Sequence, residues 1–547
     1  MDSITAFLKK IDSTASNLVS EMLSDPYGKY SPSIYETGRV TAVAPEFAGQ
    51  QLRLQFLLRT QCADGSWTGR PGYWILPTLS ATEALLRAMR NPRQATAAGI
   101  HAEHLDRAVS AALRALHDRL GPTGEALPDT VAVEALVPWL VDEVNTQLGD
   151  ADDGALAGRI PDELRRPLRY PPGCIPELLA ELREAVAQRQ PIPDKLRHSS
   201  EMLGTGIAEL PDFQPVTGTI GCSPAATATW LGERLEYESG HPSARYLTEV
   251  QRRYAGLVPV AAPLPTFERA WVSATILTAG FDVTPPARLV ADLDQALGQE
   301  GAPGGAGLPP DVDDTAAVLH TLARLGSPRA PTALWHYLVD PHFCCYPNER
   351  TPSTSANAHV LLALGATLRV GQAAARRQVE IMRRLTQWLC AQQQLDGAWT
   401  DKWHASPYYA TARCALSLHE YGGATAHPAL DKAVSWVLAN QRPDGSWGHW
   451  EGTYEETAYA MQILRCGQAP RSATADEALA RGCAFLLDWD PTAEHPPLWH
   501  DKDLYTPIRV VRIEGLAALR TALSDPRVTR ALRPQSVERI GQPIGQP

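Results

Sequence analysis

The stretch WLCAQQQLDGAWT (388–400) sets the architecture, because it recurs along the chain. Its skeleton, Trp388-Leu389-x3-Gln393-x2-Asp396-Gly397-Ala398-Trp399, returns as Trp436-Val437-x3-Gln441-x2-Asp444-Gly445-Ser446-Trp447. It returns again as Phe56-Leu57-x3-Gln61-x2-Asp64-Gly65-Ser66-Trp67. Identical spacing in separate copies marks an internal repeat. Each copy reads as the end of a helix. Asp-Gly makes the turn with Gly free to take positive φ, the Gln amide caps backbone groups, and the Trp covers a joint between helices. These positions are structural staples rather than catalytic groups.

The segments between the repeats carry helical periodicity. In TAAVLHTLARLG (315–326), Val318, Leu319, Leu322 and Leu325 recur at three- and four-residue intervals before Gly326 supplies a stop. SANAHVLLALGATL (355–368) and ATARCALSLHEYGG (410–423) repeat the theme. Strand signals are few. The pattern predicts an all-α chain of helical hairpins joined by Gly/Pro/Asp turns.

At 547 residues the chain is long enough for several domains, and 44% hydrophobic against 20% charged residues is a globular composition. A net charge of −11 argues against a nucleic-acid partner, whose phosphates demand a basic face. MDSITAFLKKIDST (1–14) lacks the apolar core of a secretory signal, and no run of about 18 uncharged apolar residues appears. Nine cysteines without CxxC spacing read as reduced thiols. The expectation is a cytoplasmic protein. Low-complexity breaks fall at 299–310 and around 149–173, and Asp150-Ala151-Asp152-Asp153-Gly154 in the second reads as surface.

The first break runs into the chemistry. After Pro309-Pro310, Asp311-Val312-Asp313-Asp314-Thr315 opens the apolar helix described above. Acids at a helix start satisfy free N–H groups and the dipole, and that alone explains many such clusters. An EF-hand reading fails, because the later Gly and Glu are missing. Three carboxylates within four positions cannot all ionise freely, so at least one pKa should rise, with burial deciding which acid keeps its proton. A buried carboxylic acid is what protonating a weakly basic alkene requires.

The DxDD motif together with the repeated Q-x2-DG-x-W turns resembles class II terpene cyclases, which include squalene–hopene cyclases and copalyl diphosphate synthases. Further segments match in order: SPSIYETGRVTAVAP (31–45), PDTVAVE (128–134), TGTIGCSPAATATW (217–230), FERAW (267–271), SANAH (355–359), DKWHASPYYAT (401–411) and LWHDKDLYTP (498–507). The resemblance implies two α/α-barrel domains with the active cavity between them. One, residues 1–45 plus 285–547, carries DxDD; the other, 46–284, is inserted.

Carried over residue by residue, Asp313 would be the general acid, with Asp311 and Asp314 as hydrogen-bonding neighbours and Asn357 bonding the acid. Lys502 would bind the substrate diphosphate, with Lys402 as a second candidate. Glu201 falls where the family has an acidic Mg²⁺-associated motif, so diphosphate-associated magnesium is the implied cofactor. A carbocation needs a dry, aromatic-lined cavity; Trp271, Trp403, Tyr408, Trp499 and Tyr505 lie inside the matched segments. The implied activity is conversion of geranylgeranyl diphosphate to a bicyclic labdane-type diphosphate, ent-copalyl diphosphate, with the diphosphate retained. A class I terpene synthase is the implied functional partner. No counterpart of the plant enzymes' deprotonating His/Asn pair stands in VPVAAPLPTFE (258–268), and no D-D-x-x-D/E motif lies on an apolar helix.

Other readings stay open on the residues alone. Drimenyl or halimadienyl diphosphate synthases differ in cavity depth, and a squalene–hopene-type cyclase would dock on membranes without needing Lys502. From another class, a prenyltransferase-like or binding α-barrel would carry an Asp/Cys/His zinc site, for which no constellation is visible.

Overall fold

A computed structural model describes residues 2–532, apart from 92–98, 122, 150–155, 157, 235–239, 369–374, 468–470 and 491. The acidic 150–154 stretch therefore lies outside the described residues. Helices dominate, and among the described residues the one strand pair is a hairpin of two short strands, β1 (Trp499–His500) and β2 (Leu504–Tyr505).

Two buried apolar cores organise the chain. The first gathers side chains from Tyr35 to Val258, including Leu57, Trp67, Leu85 and Leu140. Helices α1 (Ile34–Val43) and α2 (Ile75–Arg90) run through it. The second takes the N-terminal helix (Phe7 to Leu23), Tyr30, Cys222 and most buried apolar side chains from Val260 onward. Its heart is a closed ring of six helices: α3 (Pro265–Ala279), α4 (Val312–Arg324), α5 (Thr354–Leu368), α6 (Pro407–Tyr421), α7 (Tyr454–Ile463) and α8 (Ile508–Leu523). Each touches the next, α8 closes on α3, and the remaining helices form an outer layer. The cores change over between Tyr30 and Tyr35 and between Val258 and Val260, rather than at 45 and 285. The FERAW helix α3 thus belongs to the ring that carries the acid motif, because its apolar face packs on α4 and α8.

The staples hold one helix to the next with one repeated geometry. Trp67, Trp399 and Trp447 donate their indole N–H to Leu57, Leu389 and Val437 carbonyls at 2.8, 2.7 and 2.8 Å. Gln61, Gln393 and Gln441 each donate to the carbonyl of the motif Gly and to one on the next helix, Ala108, Ala429 or Ala478. Gly397 takes φ +105°, and an added Cβ there would meet the Lys432 carbonyl oxygen at 2.6 Å. The repeat is architecture.

Candidate active site

Asp311 is the N-cap of α4: its Oδ1 accepts from the Asp314 backbone N–H at 2.8 Å. That is the ordinary work of an acid at a helix start. The glycine-rich loop then folds over the motif. An added Cβ on Gly304 would stand 2.7 Å from Asp314 Oδ2, so this glycine makes room for a buried carboxyl. Asp314 Oδ1 has no hydrogen-bond partner. Burial, with the Asp314 hydrogen bonds partly opposing it, pushes Asp311 up to about 7. Burial and then the Asp311 charge push Asp314 well above the usual carboxylate range, so this pair holds a proton at neutral pH.

Asp313 stands on another face of the helix. Its side chain keeps 16% exposure, and its Oδ1 lies 2.6 Å from His359 Nδ1. Around this pair the starts of the ring helices and the hairpin bring aromatic rings together. Trp271 meets His359 edge-on at 5.2 Å and Phe267 at 4.6 Å. Tyr409 packs 4.8 Å from Trp499, and its hydroxyl accepts from the Trp271 indole N–H at 3.4 Å. Trp499 in turn contacts Tyr505 at 6.4 Å. Such a cluster stabilises cationic charge and excludes water.

Several expected roles do not survive. Asn357 does not touch Asp313: its amide exchanges two hydrogen bonds with the Phe343 backbone and donates to the Ser353 carbonyl. Residues two apart on a helix point almost oppositely, so His359 faces the acid while Asn357 faces the 343 segment. The residue of the SANAH segment that contacts Asp313 is His359, two places along. Tyr408 likewise turns outward onto Trp436, at 4.5 Å, and its neighbour Tyr409 supplies the inward ring. Trp271, Trp499 and Tyr505 stand together in the aromatic cluster, joined through Phe267, while Trp403 lies to one side, its indole N–H 3.4 Å from Cys345 Sγ.

Lys502 is the largest correction. It sits at the tip of the hairpin, fully buried, with its ammonium against Glu36 and 2.9 Å from Glu201 Oε1. The His198 carbonyl and Ser223 Oγ complete its shell at 2.8 and 2.9 Å. An ammonium enclosed by two carboxylates has no face to offer a diphosphate. Beside it, Asp501 pairs with His198 at 2.8 Å, and Asp503 Oδ2 accepts from the Ile34 and Tyr35 backbone N–H groups. The hairpin therefore fastens the two cores with a buried charge network.

Glu201 is spent in that network, also accepting from Tyr35 OH at 2.8 Å. A divalent cation there would stand against the Lys502 ammonium, so Glu201 does not fit a metal ligand. Among the described residues no group of three or more His, Cys, Asp or Glu could hold a metal ion. Lys402 stays at the seam between the cores, bonded to Glu349 at 2.6 Å and to the Thr351 carbonyl at 2.7 Å. Seam contacts from Arg350 to Glu134 and from Thr351 to Asp129 flank it.

A small pocket lies at the seam, between Tyr73, Ile75, Pro128, Thr130 and Val133 on one side and Lys502, Asp503 and Leu504 of the hairpin on the other. A second cavity, of about 380 Å³, lies inside the six-helix ring, reaching Trp271 and His359 from the far end. All nine cysteines are free thiols. No helix among the described residues is long and apolar enough to cross a membrane.

Comparison with known proteins agrees with this architecture. The squalene–hopene cyclase C-terminal domain matches residues 350–488. An ent-copalyl diphosphate synthase of Streptomyces sp. (strain KO-3988) is 44% identical over 94% of this chain and 97% of its own. A labda-7,13-dienyl diphosphate synthase of Streptomyces clavuligerus is 41% identical over 93% and 92%. The solved ent-copalyl diphosphate synthase from Streptomyces platensis superposes with a TM-score of 0.86 at 42% identity, covering 94% of this chain and 99% of that one. The protein belongs to the class II diterpene cyclases and is an enzyme of the copalyl diphosphate synthase type.

Proposed function

We propose that the protein converts geranylgeranyl diphosphate to a bicyclic labdane-type diphosphate, ent-copalyl diphosphate, by protonating the terminal alkene at Asp313. One observation carries this reading: Asp313 is held in an aromatic cluster by a 2.6 Å contact to His359. The donated proton leaves Asp313 as a carboxylate, and His359 stabilises the charge that appears. Asp311 and Asp314 fix the helix start and keep their shared proton out of the reaction. The cation then closes two rings among Phe267, Trp271, Tyr409 and Trp499, and loses a proton to form the alkene.

The diphosphate end of the substrate points to the seam, where Lys402 is the better placed of the two lysines. Magnesium bound with the substrate would supply only neutralisation of the diphosphate charge, and Glu201 would not hold it. Because the diphosphate is retained, the product suits a class I terpene synthase, which ionises such an ester.

Incubation with C15, C20 and C30 substrates, followed by mass spectrometry of dephosphorylated products, tests the substrate. In D₂O the C20 product should carry one deuterium, without stoichiometric pyrophosphate. Pyrophosphate release in step with product would point to ionisation-initiated chemistry and sink the reading. The relative named for the labda-7,13-dienyl isomer is nearly as similar as that named for the ent-copalyl product. NMR of the alcohol decides the double-bond position.

A further inference from the structure

Asp313 has a counterpart across the ring. It is the second residue of α4, after the N-cap Asp311, and Glu455 is the second residue of α7, after the N-cap Thr453. The two helices stand three places apart in the closed ring of six, so they face each other across it. Contacts from Asp313 to His359, from Trp271 to Tyr409 and from Tyr409 to Tyr459 run round the same end of the ring. The two acids therefore belong to opposite walls of one aromatic cluster.

Glu455 is buried, and one of its oxygens gathers three rings. Oε1 accepts from the Trp499 indole N–H at 2.7 Å and from the Tyr459 hydroxyl at 2.9 Å, and His404 Nε2 lies 3.3 Å away. The Ser406 backbone N–H donates to His404 Nδ1, which leaves the ring proton on Nε2, facing the carboxylate. Tyr409 closes the group, stacked 4.7 Å from His404. Glu455 Oε2 has no hydrogen-bond partner. Among the described residues no lysine or arginine pairs with Glu455, and its ion-pair partner is the weakly basic His404. Arg413, 5.3 Å from the Tyr459 ring and 5.7 Å from that of Tyr409, is already paired with Glu514. A buried carboxylate without a fixed cation costs stability, because nothing offsets its lost hydration. A neutral amide could hold the Trp499 indole at less cost, so the charge needs another explanation.

We propose that Glu455 is a positioning residue whose counter-ion is the substrate carbocation, drawn toward its wall as the rings close. The proposal rests on Asp313 being the acid. Asp313 protonates the terminal alkene on one wall, and each ring closure carries the positive charge further along the chain, away from Asp313. The Glu455 carboxylate acts on that charge through the rings it holds. Hydrogen bonds from Trp499 and Tyr459 to an anion enrich their faces in electron density, which strengthens their hold on a cation. The uncompensated charge behind them adds a direct attraction, weakly screened in a dry site. Such a wall favours completion of the second ring over loss of a proton after the first.

Two variants separate charge from shape. Glu455→Gln keeps an acceptor for Trp499 and removes the charge, whereas Glu455→Asp keeps the charge and shortens its reach. Each is given two inhibitors: a bicyclic diphosphate with an ammonium nitrogen where the final cation would stand, and the same diphosphate with a neutral carbon there. The ratio of the two inhibition constants reads the preference of the site for positive charge. In Glu455→Gln that preference should fall by about 2–30-fold, the worth of an aromatic face to a cation. It should hold at the parent value in Glu455→Asp. On the C20 substrate, kcat of Glu455→Gln should fall by a similar factor at unchanged KM, with a larger share of monocyclic product. A parent-like preference in folded Glu455→Gln, or a lost one in folded Glu455→Asp, reduces Glu455 to a structural anchor and overturns the proposal. Pyrophosphate released in step with product by the parent enzyme, measured first, would instead overturn Asp313 as the acid.

Discussion

His359 Nδ1 lies 2.6 Å from Asp313 Oδ1, joining two neighbouring helices of the ring at the acid itself. The imidazole can stabilise the carboxylate that forms when the proton leaves, a difference felt in the transition state and not in substrate binding. His359→Ala should therefore lower kcat with little change in KM. A hydrogen bond to a charged group is worth about 1.5–3 kcal/mol, or roughly 10–150-fold. Asp313→Asn, which is isosteric, should remove turnover altogether while the melting curve stays put. Steady-state kinetics on both variants check this; a raised KM at unchanged kcat in His359→Ala would show the pair to be misread.

The pH profile should report the flanking acid. Burial raises Asp311 to about 7, so the folded state favours its protonated form below that pH and loses the preference as pH rises through it. Ionised Asp311 beside Asp313 makes the middle acid a weaker proton donor. Activity should fall as pH rises through about 7. Asp311→Asn keeps a good N-cap and removes the titration, so its rate should be flat across that range. A profile unchanged by the substitution would assign the limb to another group.

Lys502→Ala should act on stability. It leaves Glu36 and Glu201 buried without their cation, and Glu36, already raised to about 7 by burial, would shift further. Breaking a buried pair from one side costs about 3–5 kcal/mol. Differential scanning calorimetry should show a clearly lower melting temperature. An unchanged melting curve with a raised KM would return Lys502 to diphosphate binding.

The two adjacent tyrosines should separate cleanly. Tyr409 faces Trp271 and Trp499, whereas Tyr408 packs on Trp436 of the outer layer. Tyr409→Leu should reduce turnover and add prematurely quenched or monocyclic products, because an aromatic face is worth about 0.5–2 kcal/mol to a nearby cation. Tyr408→Leu should leave the product profile alone and cost only stability. Chromatography of dephosphorylated products distinguishes them, and identical profiles would argue against Tyr409 meeting the cation.

The chain's own order of residues determined a great deal. The staples could be recognised because each is local: Gln, Asp-Gly and Trp within seven residues build their turn wherever the helices go. The DxDD cap was legible for the same reason, since Asp311 bonds a backbone N–H three residues on. Direction was not legible. Whether Asn357 or His359 meets the acid, and whether Tyr408 or Tyr409 turns inward, depends on how each helix is rotated within the ring. That rotation is set by packing against neighbours far along the chain. Lys502 shows the limit most plainly. Its motif matched a diphosphate lysine, yet one of its carboxylates, Glu201, stands 301 residues away, and only the closure of two cores on one hairpin brings them together. A buried cation takes the charge that folding places beside it, and no local spacing records that choice.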